Sequence, residues 1–152
     1  MSAHPYRLAL EAGMIGPGDD AVVLYDCDSL AEGFSRLRAA FPEDALHAVA
    51  VKANPLARVL RFLRERGAGA EAASLPELRL ALEAGQPPER IVFESPAKTV
   101  SELAFALKAG INVNADTLDE LTRIEALLRD IPSAWRIGIR IKLTSKGSGR
   151  WE

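Results

Sequence analysis

A strand–helix pattern with a period of about two dozen residues runs through most of this chain and restricts its possible folds. It predicts strands at 46–53, 69–74, 90–95, 111–116 and 135–143, separated by helices at 56–67, 75–85, 99–110 and 117–131. Strands separated by helices cannot pair as hairpins, so we expect a parallel sheet with right-handed crossovers. Because the strands are mostly apolar, we expect the sheet to be buried on both faces.

Residues at the ends of the predicted helices support these boundaries. The first three helices are followed by Gly67, Gly85 and Gly110, and the last three are preceded by Ser74, Thr99 and Thr117. Glycine adopts the left-handed conformation that closes a helix, and a hydroxyl oxygen can accept hydrogen bonds from the first N–H groups. Glu102 and Glu120 complete the capping-box spacing with the two threonines.

The first 45 residues do not follow the repeat. They predict a short helix at 5–13, a turn at 16–20, a strand at 21–28 and a helix at 29–41 capped by Asp28 or Ser29. We therefore divide the chain into an N-terminal unit at 1–45, a repeat region at 46–143 and a polar tail at 144–152.

Composition and charge restrict the classes of function that this chain could have. The chain has 152 residues, 48% of them apolar, and a formal net charge of −2, which argues against nucleic-acid or membrane-surface binding. No leader or membrane-spanning run is present, so a cytoplasmic protein is expected. Cys27, the single cysteine, has acidic neighbours that disfavour a reactive thiolate, and the two histidines have no metal-ligand spacing.

The stretch AVAVKANP, residues 48–55, carries a lysine directly after an apolar strand. Lys52 would lie at the carboxyl end of the first strand of a parallel sheet. Taken alone, this position leaves two interpretations open: a strand-end ammonium in solvent, or an amine that takes part in chemistry. Partial desolvation at the mouth of an apolar sheet would favour the second, because it frees the nitrogen lone pair.

Five stretches in order resemble one known family. They are VVLYDCDSL, AVAVKANP, GAGAEAASLPEL, PPERIVFESPAKT and NVNADTLDEL, within residues 21–143. The chain resembles the fold-type III pyridoxal-phosphate decarboxylases, which include diaminopimelate and ornithine decarboxylases and share a barrel with alanine racemase. FESPAKT and VNADTLDEL are most similar to the branch around diaminopimelate decarboxylase, which includes relatives acting on basic amino acids.

The resemblance implies a fold and a cofactor. The fold would be α/β, a partial (β/α)8 TIM-type barrel with about five parallel strands, preceded by the extra N-terminal strand–helix unit. Lys52 would be the catalytic residue, holding pyridoxal 5'-phosphate as a Schiff base. The cofactor would act as the electron sink for a small-molecule amino acid, diaminopimelate or a basic amino acid, that loses CO₂.

The same resemblance suggests three further cofactor-binding residues. Glu71 stands where the family usually has aspartate, and it could equally be an ordinary strand-end charge. Ser74 follows it before the next helix. Arg140 lies on the predicted fifth strand, where its charge would point into the barrel and need an anionic partner. Arg136 and Lys142 share the alternation of Arg140 along that strand.

Three more positions match the family but suggest structural roles. Glu77, in the first turn of its helix, could simply complement the helix dipole. Lys98 and Asn114, at the ends of the third and fourth strands, are expected to anchor loops rather than to catalyse.

Strand counting indicates an incomplete barrel. A closed barrel of this type needs eight strand–helix units and commonly about 250 residues, whereas five strands are predicted here. We expect the chain to be the N-terminal barrel portion of a decarboxylase, inactive or incomplete alone. It would then need a missing C-terminal half or a second copy in a homo-oligomer to cover its open sheet edge.

Two alternatives remain from the residues. One is a non-catalytic pyridoxal-phosphate-binding or accessory fragment that keeps the lysine. The other is a smaller single-domain pyridoxal-phosphate carrier protein, against which the predicted strand at 21–28 and the segment SPAKT both speak.

Overall fold

The computed structural model describes residues 5–131 and 136–141. The chain divides into two compact units, Met1–Glu43 and Asp44–Glu152. The predicted polar tail at 144–152 and Lys142 lie outside the described residues. In the part of the chain that is described, no helix is long and apolar enough to span a bilayer.

The first unit contains two helices, α1 (Pro5–Glu11) and α2 (Cys27–Ala39). The strand predicted at 21–28 is wrong: residues 21–26 form no strand, and α2 begins at Cys27. A strand is stabilised by hydrogen bonds to a neighbouring strand, and no described strand pairs with this segment. The apolar residues in this segment indicated a strand, but they did not indicate whether another strand would pair with it.

Asp26, rather than Asp28 or Ser29, caps α2. Its Oδ1 accepts hydrogen bonds from the backbone N–H groups of Asp28 at 3.1 Å and Ser29 at 3.0 Å. These bonds hold the pKa of Asp26 below its usual range, with the backbone bond from Ser29 as the largest cause and the Ser29 hydroxyl adding to it. The helix therefore starts earlier than predicted.

The second unit contains the five strands and four longer helices of the repeat. In order these are β1 (Ala48–Ala50), α3 (Ala57–Arg64), β2 (Gly69–Ala72), α4 (Leu75–Glu83), β3 (Ile91–Glu94), α5 (Val100–Lys108), β4 (Asn112–Ala115), α6 (Leu118–Leu128) and β5 (Ile137–Ile139). Short 3₁₀ turns occupy Val51–Ala53 and Pro88–Arg90. All strands pair in parallel in the order β1-β2-β3-β4-β5, which confirms the α/β prediction.

One face of the sheet forms the hydrophobic core with the helices. Alternate strand residues such as Ala72, Ile91, Phe93 and Val113 are fully buried there. They pack in one cluster with leucines and alanines of the helices, among them Leu78 on α4. Burying such apolar surface is the main force that holds the helices on the sheet.

The opposite face carries polar side chains beside apolar ones such as Val92, contrary to the prediction of a sheet that is apolar and buried on both sides. Glu71, Glu94, Asn112 and Asn114 are half-buried on this face, which we call the polar face. Strand side chains alternate between faces with a period of two, so a strand such as GAEA or NVNA contributes apolar residues to one face only. The strands are too short for this alternation to be plain in the sequence.

The predicted helix ends are largely confirmed. Gly67, Gly85 and Gly110 all adopt the left-handed conformation, with φ between 77° and 87°. At the start of α5, Thr99 Oγ1 accepts the N–H of Glu102, and Glu102 Oε2 accepts the N–H of Thr99 at 2.9 Å. This is the predicted capping box.

The other two predicted caps differ from expectation. Thr117 accepts the N–H of Glu120 at 3.1 Å, but the Glu120 carboxylate accepts the N–H of Asp116 instead of that of Thr117. Ser74 occupies the N-cap of α4 without a side-chain bond to the helix. The side chain of Glu77, in the first turn of α4, instead accepts the N–H of Ala73, just before the helix, at 2.8 Å.

Candidate functional site

Lys52 follows β1 within the 3₁₀ turn Val51–Ala53, at the carboxyl end of the strand. Val51 is fully buried and its carbonyl accepts the N–H of Asn54 at 3.1 Å, so the turn is fixed on both sides of the lysine. The Lys52 side chain is exposed, and the predicted desolvation is therefore wrong for the described chain. Among the described strands, β1 stands at one side of the sheet and pairs with β2.

Glu71 lies on β2 in register with Ala50, the last residue of β1. Burial raises the pKa of Glu71 above its usual value, the positive charge of Lys52 acts in the opposite direction, and the carboxylates of Glu77 and Glu94 raise it further. The structure therefore brings Glu71 and Lys52 within electrostatic reach of each other. This pairing of an amine and a carboxylate follows from the parallel register of β1 and β2.

Ser74 and Glu77 lie at the start of α4, directly after β2. Ser74 is half-buried, and its hydroxyl does not bond to the N–H groups of α4. Glu77 accepts the N–H of Ala73, so it fixes the loop that carries Ser74. The suggestion that Glu77 only complements the helix dipole misses this bond to the loop.

Arg140 directly follows β5, and its backbone N–H donates to Ala115 O at 2.8 Å. Its Nε lies 3.5 Å from Glu94 Oε1, and its Nη1 lies 3.3 Å from Asp116 Oδ1. The prediction that this arginine needs an anionic partner is confirmed. Sequence reasoning did not identify either carboxylate, although both stand at the carboxyl ends of strands.

Asn114 completes the group. Its Nδ2 donates to Glu94 Oε2 at 2.6 Å, across the pairing of β3 with β4. We call Glu94, Asn114, Asp116 and Arg140 the rim cluster, since they gather where β3, β4 and β5 end. By contrast Arg136, which shares the alternation of Arg140, is exposed at the opposite end of β5 and contributes its carbonyl to Val113 N–H.

Lys98 is a buried anchor behind this edge of the sheet. Its Nζ lies 2.8 Å from Glu120 Oε2, donates to Ser95 O at 2.6 Å and lies 5.6 Å from the centre of the Phe93 ring. Glu120 also accepts the N–H of Asp116 at 2.9 Å. The expected loop-anchoring role of Lys98 is confirmed, because these bonds join the segments that follow β3 and β4.

The site therefore consists of an exposed amine, a neighbouring carboxylate with a raised pKa and an arginine held by two acidic residues. All of them lie at the carboxyl ends of parallel strands, where (β/α) barrels have their active sites. Within residues 5–131 and 136–141, no three or more His, Cys, Asp or Glu side chains are grouped as metal ligands.

Comparisons with known proteins show which family this chain resembles. The family profile "Pyridoxal-dependent decarboxylase, pyridoxal binding domain" matches residues 27–152. The chain is 40% identical over 119 residues to the diaminopimelate decarboxylase of Aquifex aeolicus, a match that covers 78% of this chain and 28% of that protein.

Solved structures of the same group have a similar fold. The Helicobacter pylori diaminopimelate decarboxylase, complexed with L-lysine, superposes with a TM-score of 0.78 and 32% identity over 90% of this chain and 34% of that chain. The Vibrio vulnificus lysine/ornithine decarboxylase, complexed with cadaverine, gives a TM-score of 0.75 with 25% identity, covering 95% of this chain and 38% of that one.

The similarity extends over only part of each relative. The chain spans about a third of the length of these relatives, between 28% and 38%. The matched part contains the parallel strands and the lysine that follows β1. The chain belongs to the pyridoxal-dependent decarboxylase family, and its residues 27–152 match the profile of that family's pyridoxal-binding domain.

Proposed function

We propose that this chain is the N-terminal barrel portion of a pyridoxal-phosphate-dependent amino-acid decarboxylase. The observation that carries the proposal is the position of Lys52, an exposed amine fixed at the carboxyl end of β1 and electrostatically coupled to Glu71. The similarity to diaminopimelate decarboxylases supports the proposal that the amine at this position binds the cofactor.

The residues present fit pyridoxal phosphate at its aldehyde. Attachment of an aldehyde requires a primary amine that solvent and cofactor can reach, and Lys52 meets this requirement. The adjacent Glu71 is partly desolvated, so it can hold a proton at higher pH than an ordinary glutamate. When bound, pyridoxal phosphate supplies an electron sink for the carbon that loses its carboxyl group.

Each remaining residue has a definite role in this proposal. Lys52 carries the cofactor covalently, and Glu71 is the acid–base group beside it. Ser74 contributes a hydroxyl that α4 does not use, on a loop held by Glu77. Arg140 supplies a guanidinium for an anionic oxygen, and the acidic residues around it keep it at the edge of the sheet.

For the substrate we propose an α-amino acid, with diaminopimelate first. The Aquifex relative and the Helicobacter structure are both diaminopimelate decarboxylases. Basic amino acids are the second choice, because the Vibrio structure is a lysine/ornithine decarboxylase. Turnover would also depend on a C-terminal half or on a second copy of the chain, since β1 and β5 each pair on one side only among the described strands.

Cofactor attachment tests the proposal directly. The chain is mixed with pyridoxal phosphate, the absorbance band at about 420 nm is recorded, and the adduct is reduced with borohydride and located by mass spectrometry. We expect the label on Lys52 and its loss in Lys52→Ala. Lys108→Ala is the matched control, because Lys108 is also exposed but lies at the end of α5. Equal labelling of the chain in all three proteins would contradict the proposal.

Release of CO₂ distinguishes the decarboxylase from the alternative, a non-catalytic pyridoxal-phosphate-binding or accessory fragment. Diaminopimelate, lysine, ornithine and arginine are supplied to the chain loaded with pyridoxal phosphate, alone and together with the complementary C-terminal portion of a diaminopimelate decarboxylase. We expect CO₂ only in the second case and first from diaminopimelate. Cofactor attachment without CO₂ release in either case would favour the accessory fragment.

A further inference from the structure

The helices α4 and α6 begin with nearly the same sequence. Residues 74–77 read SLPE, and residues 117–120 read TLDE. In both helices the first of these residues is the N-cap, with an extended backbone. In both, the glutamate accepts the N–H of the residue before the cap, at 2.8 Å in α4 and at 2.9 Å in α6. The two helix starts therefore form a matched pair within one chain.

The two N-cap hydroxyl groups nevertheless behave differently. Thr117 Oγ1 accepts the N–H of Glu120 at 3.1 Å, whereas the Ser74 hydroxyl accepts no N–H of α4. An N-cap oxygen bonds the N–H of the second or third helical residue, and in α4 the second residue is Pro76, which has no N–H. Serine also lacks the branched Cβ that restricts the rotation of threonine. The Ser74 hydroxyl thus has one capping donor fewer than Thr117 and more freedom to turn away.

The start of α4 is stabilised without this hydroxyl. The pKa of Glu102, on α5, is lowered chiefly by the backbone N–H of Thr99, and the backbone N–H of Leu75, the first residue of α4, adds to the lowering. Leu75 therefore has its hydrogen-bond acceptor on the neighbouring helix. The ring of Pro76 fixes a backbone angle that suits the first turn of a helix. These groups perform the work that a capping hydroxyl does elsewhere.

We propose that Pro76 is a positioning residue that keeps the Ser74 hydroxyl free of its own helix, so that this hydroxyl can donate a hydrogen bond to an oxygen atom of pyridoxal phosphate. Ser74 is half-buried and follows β2, the strand that carries Glu71. The inference rests on the proposed function for the identity of the ligand. The release of the hydroxyl by Pro76 does not depend on it.

The first experiment measures the affinity of the 152-residue chain for pyridoxal phosphate from the absorbance band at about 420 nm. Pro76→Ala restores an N–H that the Ser74 hydroxyl can cap, so we expect affinity to fall about fivefold, the size of effect that one hydrogen bond produces. Ser74→Ala should cause the same loss. The double variant Ser74→Ala/Pro76→Ala should bind no more weakly than either single variant, because both changes remove the same bond.

Pro88→Ala is the matched proline control. Pro88 also begins a short helical turn, but this turn precedes β3 and lies away from the carboxyl ends of the strands. We expect this variant to bind pyridoxal phosphate as the native chain does.

The second experiment follows hydrogen exchange of the amide at position 76. In Pro76→Ala this amide should exchange about fivefold more slowly than in Ser74→Ala/Pro76→Ala, since only the first protein has the capping hydroxyl. Urea unfolding should show that Pro76→Ala is also the more stable of the two. Weaker cofactor binding by the more stable protein then reports capture of the hydroxyl and not a damaged fold.

Three results would each overturn the positioning role. The first is an unchanged affinity in Pro76→Ala. The second is a double variant in which the two losses multiply to about 25-fold. The third is equal exchange at position 76 with and without the Ser74 hydroxyl.

A comparison with pyridoxal identifies the oxygen atom of the cofactor. If the hydroxyl binds the phosphate, Pro76→Ala weakens binding of pyridoxal phosphate and leaves pyridoxal unchanged. If it binds an oxygen on the ring, both ligands are weakened equally. If the native chain takes up no pyridoxal phosphate at Lys52, the proposed function fails. The exchange and unfolding measurements use no cofactor and still decide the role of Pro76, so the two failures are distinguishable.

Discussion

Lys98 Nζ lies 2.8 Å from Glu120 Oε2, and the two side chains are only 0% and 4% exposed. The same carboxylate oxygen accepts the N–H of Asp116, and Lys98 also donates to Ser95 O. A buried ion pair gains Coulomb energy at the cost of desolvating both charges. Removing only one of the two partners is therefore the most destabilising change, because it leaves the other charge buried and unpaired. This pair connects the two segments from which Asp116 and the end of β3 approach Arg140.

Removing the lysine alone should be strongly destabilising. We expect Lys98→Met to lower the free energy of unfolding by about 3–5 kcal/mol, because it leaves the Glu120 carboxylate buried without its cation. Lys98→Met/Glu120→Gln should recover part of this loss, since glutamine is uncharged and can still accept the N–H of Asp116. Urea unfolding measures both variants, with the exposed Lys108→Met as control. A double variant less stable than Lys98→Met would contradict this expectation.

The raised pKa of Glu71 makes stability depend on pH with a definite sign. Because burial favours the protonated form, the folded chain binds this proton more tightly than the unfolded chain, whose glutamate has the ordinary value of 4.5. The stability that Glu71 contributes is then fully present below that value and is lost as the pH rises through the folded pKa. Glu71→Gln should lack this decrease. The free energy of unfolding of the variant should therefore rise relative to that of the native chain between mildly acidic and neutral pH.

Unfolding midpoints measured from about pH 4 to pH 7 check this prediction. Glu83→Gln serves as the control, because its carboxylate is exposed on α4. Parallel profiles for Glu71→Gln and the native chain would show that burial does not perturb this group.

Changes in neighbouring charges should move the pKa of Glu71 in opposite directions. Lys52→Ala removes the positive charge that lowers it, and Glu94→Gln removes a negative charge that raises it. We therefore expect the Glu71 titration midpoint to rise in the first variant and to fall in the second. Carboxyl ¹³C NMR titration measures both, and shifts of the same sign would refute the electrostatic description of the site.

Gly110 should be destabilised by a side chain for conformational reasons alone. Its φ is 77°, and a Cβ atom at this position would have Pro88 Cβ as its nearest neighbour at 3.9 Å, so space is available. We expect Gly110→Ala to cost about 1 kcal/mol and Gly110→Asn less, because asparagine tolerates the left-handed region better. Equal stability of the alanine variant and the native chain in urea would contradict this.

The capping box at α5 gives a separate prediction. Thr99→Ala removes the acceptor for the N–H of Glu102 and should lower stability by about 1 kcal/mol. Thr99→Ser keeps the hydroxyl and should lose much less. The bonds from Thr99 to Glu102 hold the pKa of that carboxyl below its usual range, chiefly through the Thr99 backbone N–H, so the cap should weaken as Glu102 is protonated in acid. Helix content measured by circular dichroism at low pH tests this.

Much of the fold could be predicted from local sequence. The repeat predicted nine elements in the right order, and the glycines at 67, 85 and 110 placed three helix ends, because backbone conformation there depends on the residue itself. The position of Lys52 after the first strand could be predicted for the same reason. The strand predicted at 21–28 was wrong, because a strand forms only when it pairs with another strand, and the local sequence does not reveal that partner.

Pairing between distant residues could not be read from the sequence. Glu94, Asn114 and Arg140 are separated by 20 or more residues, and only the parallel register of β3, β4 and β5 brings them together. The exposure of Lys52 likewise depends on what packs against the end of β1 in the folded chain. Periodicity and residue type therefore determined the elements and the candidate amine. The tertiary structure alone decided its surroundings and the partners of Arg140, because hydrogen bonds and charges act through space rather than along the chain.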